Sequence, residues 1–311
     1  MSADLSGFDW VRNGEAVIVT DSSELQSILQ RRGVATQSLL ELAELPPRSL
    51  VLSFSKEASR HTFEIATHGV GRKCIFCALH VFEASVQHAE YAIKAIVGSD
   101  FSSSLAQQEK LLAKLDDANV IVVSGGFNTG QALIHSDAVP YAMIRDDAEG
   151  DYIHSVAEFF EVHYAHMQAE APCPFSFTGQ LQVAGMLSVI RNEGWALRSE
   201  LKGELEGLAR SVAECGAILK IVDNTVVSFL VAGEECSDLL AVAAGKRGLQ
   251  LTEFAIGVNQ SIARFIDYKL NSQLNEGVEG IHVAIGDGAS GYHIDLLVPE
   301  VELAFSSKCQ H

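Results

Sequence analysis

Residues 281–298 read IHVAIGDGASGYHIDLLV. Two apolar runs of β type, IHVAIG and YHIDLL, flank a turn that carries Gly286, Asp287, Gly288 and Gly291. Side chains along a strand alternate between its two faces. Ile281, Val283 and Ile285 therefore share one face, and His282 points the other way with the small residues Ala284 and Gly286. In the second run His293 and Asp295 share a face, with Ile294 and Leu296 opposite. If the Gly-rich turn sets the two strands side by side, His282, His293 and Asp295 converge. Two imidazoles and a carboxylate form a donor set for zinc, manganese, cobalt or ferrous iron. Upstream, LTEFAIGVN sets Glu253 in an otherwise apolar strand, where an unpartnered carboxylate would be costly to bury. On spacing alone, hydrogen-bonded or solvated strand histidines remain the alternative.

Around this stretch the texture is rich in strands. AILKIVDNTVVSFLVAG (217–233) reads as two strands joined at Asp223-Asn224, and FSFTGQLQVAGMLSVIRN alternates like a hairpin. SELKGELEGLARSVAECG and EECSDLLAVAAGKRG are the helices of this half. The first half alternates β-branched runs with amphipathic stretches: strands at 15–21, 48–55 and 119–126, helices at 22–33 (SSELQSILQRRG), 82–98, 104–118 and 151–170. The expected fold is thus an α/β, Rossmann-like layer domain over residues 1–170, followed by a β-rich α+β metal-binding domain over 171–311. The two prolines of AEAPCPFSFTG mark the boundary.

The formal net charge of −18, from 22 basic and 40 acidic residues, opposes binding to nucleic acid or an anionic membrane. No run is long and apolar enough for a membrane helix, and the acidic N-terminus lacks the layout of a signal peptide, so a cytoplasmic location is expected. Six scattered cysteines read as free thiols. Cys74 and Cys77 form a C-x-x-C pair with no second pair to complete a zinc site, and the SGGFNTG loop matches no phosphate-binding pattern. In EVHYAHM, His163 and His166 fall at i, i+3 of the expected helix, where a solvated or interdomain face is the ordinary reading.

TEFAIGVN, DYKL, GIHVAIGDG and GYHIDLL together resemble the C-terminal signature of the thermophilic-type metallo-aminopeptidases, the aminopeptidase T and aminopeptidase S family. The resemblance covers roughly residues 175–300. It implies that Glu253, His282, His293 and Asp295, which match in order, bind divalent metal, and that the substrate is a peptide or amide-like small molecule. It also implies a homodimer.

The family's further Glu, in a P-x-G-E segment, is not found; the region taken to correspond carries Gln180, and DYKL has Tyr268 where the family prefers Glu. Two carboxylates would neutralise one ion better than two, so one divalent ion per chain is expected unless Glu200 or Glu204 swings in. Glu253 is ligand or general base, and Arg264 and Lys269 are candidates for holding a substrate carboxylate. The expected activity is metal-assisted hydrolysis. Two alternatives stand beside it: oxygen-dependent ring cleavage at a mononuclear ferrous centre, as in the similar 2,5-dihydroxypyridine 5,6-dioxygenase, and a degenerate member that binds without turnover.

Overall fold

The computed structural model describes residues 8–67, 72–191 and 199–306. The first half builds a parallel sheet in the order β2-β1-β3-β4-β7, from β1 (Val17–Thr20), β2 (Thr36–Ser38), β3 (Arg48–Leu52), β4 (Lys73–Cys77) and β7 (Tyr152–Ser155). Parallel neighbours need crossovers, which the helices provide. After a short α1 (Asp9–Arg12), these are α2 (Ser23–Arg31), α3 (Lys56–Ile65), α4 (Val86–Gly98) and α5 (Phe101–Asp117). Ser22, Ser55, Ser85 and Asp100 cap the N-termini of α2 to α5, each side chain accepting from a backbone N–H of the first turn. Each such cap is worth about 1 kcal/mol.

Two antiparallel sheets complete the chain. The larger has the order β13-β12-β11-β9-β6-β5-β17. It comprises β5 (Val120–Gly125), β6 (Asn128–Ile134), β9 (Phe175–Val183), β11 (Ala217–Val222), β12 (Thr225–Val231), β13 (Glu234–Glu235) and β17 (Glu302–Ser306). The smaller, β10-β16-β15-β14-β8, comprises β8 (Glu161–Ala165), β10 (Gly185–Val189), β14 (Leu251–Gly257), β15 (Gly280–Ile285) and β16 (His293–Pro299). One large apolar core lies between these sheets; Phe175 and Phe177 of β9 meet Phe254 of β14 there. A second core fills the space among the parallel sheet, its helices and Ile262, Leu274 and Val278. The helices α6 (Ser199–Cys215) and α7 (Ser237–Ala243) also contribute Leu205, Leu208 and Leu240 to the first core.

Strands β5, β6 and β8 lie before residue 170 yet pair with β17, β9 and β14 after it. The expected division at 170/171 therefore coincides with no sheet or core boundary. The segment 151–170 is not a helix. It forms β7, a 3-10 turn at Val156–Phe159 and β8, because Phe159 and Phe160 bury in the second core while Val162 and Tyr164 alternate inward against β14. FSFTGQLQVAGMLSVIRN is not a hairpin either. Its strands β9 and β10 pair with β6 and β11 in one sheet and with β16 in the other, so the chain changes sheets at Ala184.

The β11–β12 turn forms as expected, with Asp223 and Asn224 both at positive φ. Asn224 fastens it to β9, donating to the Phe175 carbonyl at 2.7 Å and accepting from Phe177 N–H at 2.6 Å. The SGGFNTG loop turns β5 into β6. Cys77 on β4 lies in the second core and Cys74 in a smaller third one with Val19, Val51 and Phe76, and burial pushes both thiols up to about 12. They are structural apolar residues. Cys309 lies outside the described residues. No helix among the described residues is long and apolar enough to cross a membrane.

Candidate metal centre

In an antiparallel pair, directly opposed residues project from the same face. The register of the smaller sheet opposes Asp295 to Ala284, Ala284 to Glu253, His282 to Ala255, Ala255 to His163, and Gly257 to Glu161. Glu161, His163, Glu253, His282, His293 and Asp295 therefore share one face. The residues between them, Ala255, Ala284 and Gly257, are small and leave room for the polar groups. The other face of the same strands, with Phe254, Ile256, Val283, Ile294 and Leu296, belongs to the core.

A β-bulge decides the position of Glu253. The β14–β15 register shifts between Leu251 and Glu253, so Leu251 opposes Ile285 on the core face while Glu253 opposes Ala284 on the polar one. Thr252, at the bulge, donates its hydroxyl to the Gly286 carbonyl at 2.7 Å. The same carbonyl accepts from His293 Nδ1 at 3.0 Å, which turns Nε2 toward the carboxylates. Gly286 has φ +74°, and a Cβ there would collide with the Tyr292 carbonyl oxygen, so the turn that carries this carbonyl requires glycine.

The groups meet closely. His293 Nε2 lies 3.1 Å from Asp295 Oδ1 and 3.4 Å from Glu253 Oε2, and His282 Nε2 lies 3.5 Å from Glu253 Oε1 and 3.6 Å from Glu161 Oε2. His163 Nδ1 lies 3.3 Å from Glu161 Oε1 and 3.8 Å from Glu253 Oε1. Tyr141 stacks on the His163 ring with centroids 5.1 Å apart. Two three-residue groups have donor atoms close enough to share an ion: Glu161, His163 and Glu253, and Glu253, His293 and Asp295.

Burial opposes the charged form of His163, but Glu161 and Glu253 outweigh it and push the imidazole up to about 9. For His293 too, burial is outweighed, here by Asp295 and Glu253, and the ring is held well above its ordinary value. Burial would raise Glu253, yet the surrounding imidazoles, led by His282 and His293, bring it well below the carboxylate range. Glu276 goes the opposite way: burial, followed by the charges of Asp295, Glu161 and Glu253, holds its carboxyl well above that range. Four carboxyl groups, with Glu276 held toward its neutral form, thus face three imidazoles, and Glu161 Oε2, His163 Nδ1, His282 Nδ1 and Asp295 Oδ2 are buried with no hydrogen-bond partner among the described residues. Orphaned oxygen and imidazole donor atoms, gathered among carboxyl groups, suit a divalent cation. The residues present fit one.

The structure brings together all four ligand candidates read from sequence. It adds Glu161, His163 and Glu276. The first two were hidden because 151–170 was expected to be a helix, in which His163 would pair with His166; in the strand EVHYA the period of two sets Glu161 beside His163. The shortage of carboxylates that argued for a single ion is thereby filled. Gln180 sits in the other sheet, and Glu200 and Glu204 are exposed on α6. Arg264 and Lys269 are both exposed; Lys269 pairs with Glu214 at 2.9 Å, and neither is brought into the cluster.

The fold is similar to that of wild-type AmpT (aminopeptidase T) from Thermus thermophilus, with 11% identity, a TM-score of 0.51, and 98% of this chain and 94% of that one covered. A 2,5-dihydroxypyridine dioxygenase from Pseudomonas putida KT2440 aligns over 97% of this chain and 93% of its own, with 8% identity and a TM-score of 0.49. The AmpT likeness runs through the whole chain, whereas the resemblance in sequence was confined to its C-terminal half. No curated protein matches the sequence. The family model of Crocagin biosynthetic protein CgnE/B matches residues 13–306, which takes in every strand that bears the cluster, and the chain belongs to that family.

Proposed function

We propose that this protein holds divalent metal at the buried cluster and uses it to hydrolyse a peptide or amide-like bond, in the biosynthetic setting that its family's name records. One observation carries the reading. Four buried donor atoms on β8, β15 and β16, all on one face of the sheet, lack hydrogen-bond partners among the described residues. Glu253, shared by both ligand groups and held well below the carboxylate range by its imidazole neighbours, would be a ligand to the ion and not the base. His293 and Asp295 complete one group, and Glu161 and His163 the other, with His282 beside both. A bound ion supplies Lewis acidity and lowers the pKa of a coordinated water. Glu276 has the opposite environment to Glu253, which raises its carboxyl well above the ordinary range and suits it to proton exchange with water or a leaving amine. With Glu161 filling the carboxylate gap, the reason to favour a ring-cleaving iron triad is gone.

A specific observation favours a second reading, binding of a peptide-like ligand without turnover. His282, His293, Asp295 and Glu253 are all at least 92% buried, and none of them lines the cleft described below. The experiment that separates the two strips the protein with chelator, reloads it with zinc, manganese, cobalt or ferrous iron, and offers unprotected tripeptides. Metal-dependent release of an amino acid, lost in Glu276→Gln with metal still bound, supports hydrolysis. Binding of tripeptide without release, whatever the metal, supports the second reading.

A further inference from the structure

On the far side of the smaller sheet from the cluster, a cleft of about 310 Å³ opens between β10, α6 and the turn at residues 80–83. Met186 lines it from the face of β10 opposite to Leu187 and Val189, the residues that oppose Asp295 and His293. Ile190, Val81 and Phe82 extend the apolar wall. Two polar groups of the lining have no partner among the described residues. Tyr292 is 3% exposed, and its hydroxyl is buried with no hydrogen-bond partner. Arg210, exposed on α6 at the rim, makes no ion pair or hydrogen bond among the described residues. The other charges at the cleft are matched: Lys202 with Glu206 at 3.6 Å, Lys269 with Glu214 at 2.9 Å and Glu83 with His88 at 3.3 Å.

We infer that this cleft binds a carboxylate carried on an apolar body about the size of one amino-acid residue. The volume falls at the lower end of small-molecule sites, about 300–1,000 Å³. The guanidinium fork of Arg210 matches a carboxylate in shape and charge. The walls take the apolar body, and the Tyr292 hydroxyl gains from a ligand the hydrogen bond that the protein does not give it. The chemistry is shared by a free acid and by the C-terminus of a peptide. The inference does not depend on the metal centre.

The test titrates the full chain, by calorimetry, with N-acetyl-leucine, N-acetyl-leucinamide and a tripeptide ending in a free leucine carboxylate. The acid should bind at least tenfold more tightly than the amide, before and after metal is stripped. Arg210→Gln should abolish that preference, and Arg210→Lys should recover part of it. Tyr292→Phe should weaken binding several-fold without lowering the melting temperature, since it removes an unsatisfied hydroxyl. A tripeptide that binds better than the free acid identifies a peptide end as the ligand; equal or weaker binding identifies a free acid. Equal binding of acid and amide, binding of neither, or an acid preference that survives in Arg210→Gln would overturn the inference. So would a preference that disappears with the metal, because the carboxylate would then be reading the ion.

Discussion

The two faces of the β10-β16-β15-β14-β8 sheet are made by the same strands and differ in almost every physical respect. One face buries Phe254, Ile256, Val283, Ile294 and Leu296 against the larger sheet. The other buries Glu161, Glu253, His282, His293 and Asp295. The apolar face gains free energy from dehydration and close packing. The polar face loses hydration that its internal contacts only partly replace, which leaves four orphaned donor atoms. Core packing therefore sustains the sheet, and the polar face is arranged for a ligand.

The largest predicted effect is on the apolar side. Phe254→Ala removes a fully buried ring that stacks on Phe177, and should cost about 3–5 kcal/mol in denaturant unfolding. The polar side should respond to ions instead. Divalent metal at about one hundred times its dissociation constant should stabilise the wild type by about 2.7 kcal/mol, and should leave Asp295→Asn close to its metal-free value. Equal stabilisation of both would mean that the ion binds elsewhere. Next comes the bulge that separates the two faces. Thr252→Val keeps the shape but removes the bond to the Gly286 carbonyl, at about 1 kcal/mol, and should also weaken metal uptake, since that carbonyl orients His293.

The smallest effect lies away from both faces. Glu235 accepts from Ser228 Oγ and from the backbone N–H of Phe229 and Ser237, which hold its carboxyl down at about 2. Because its folded pKa lies below the ordinary value of 4.5, its contribution is present above pH 4.5 and is lost as pH falls from there through about 2. Glu235 is solvent-exposed, so Glu235→Gln should lower stability at pH 7 by less than about 1 kcal/mol, and the difference should close near pH 2. A gap that stays constant with pH would mean that the carboxylate charge is irrelevant.

Period-two patterning made half of the site legible. In IHVAIG and YHIDLL each polar residue stands between apolar ones, so both the strands and the shared face of His293 and Asp295 follow from sequence. Glu161 and His163 show the same alternation, but the surrounding DYIHSVAEFFEVHYAHM also fits a helical period, and only pairing with β14 decides between the two. Glu276 was illegible for a different reason. It follows a 3-10 turn at Gln273–Asn275, and nothing local reports that the turn carries it to carboxylates on β8, β14 and β16. Of the strands read in the first half, 15–21 and 48–55 belong to the parallel sheet as β1 and β3, whereas 119–126 is β5 of the larger antiparallel sheet. The expected domain boundary coincides with no sheet boundary because β5, β6 and β8 pair with β17, β9 and β14, each more than 40 residues further along, which no local signal encodes.

Metal stoichiometry decides whether the polar face holds a divalent ion. Protein purified without chelator or affinity-tag metal, stripped, dialysed against zinc and analysed for elements should retain at least one tightly held ion per chain. His293→Ala and Asp295→Asn should lose the ion that they share with Glu253. If Glu161 and His163 hold a second ion, Glu161→Gln should lower the wild-type value by one. A wild type that retains no ion, or variants that retain as much as the wild type, would contradict the account.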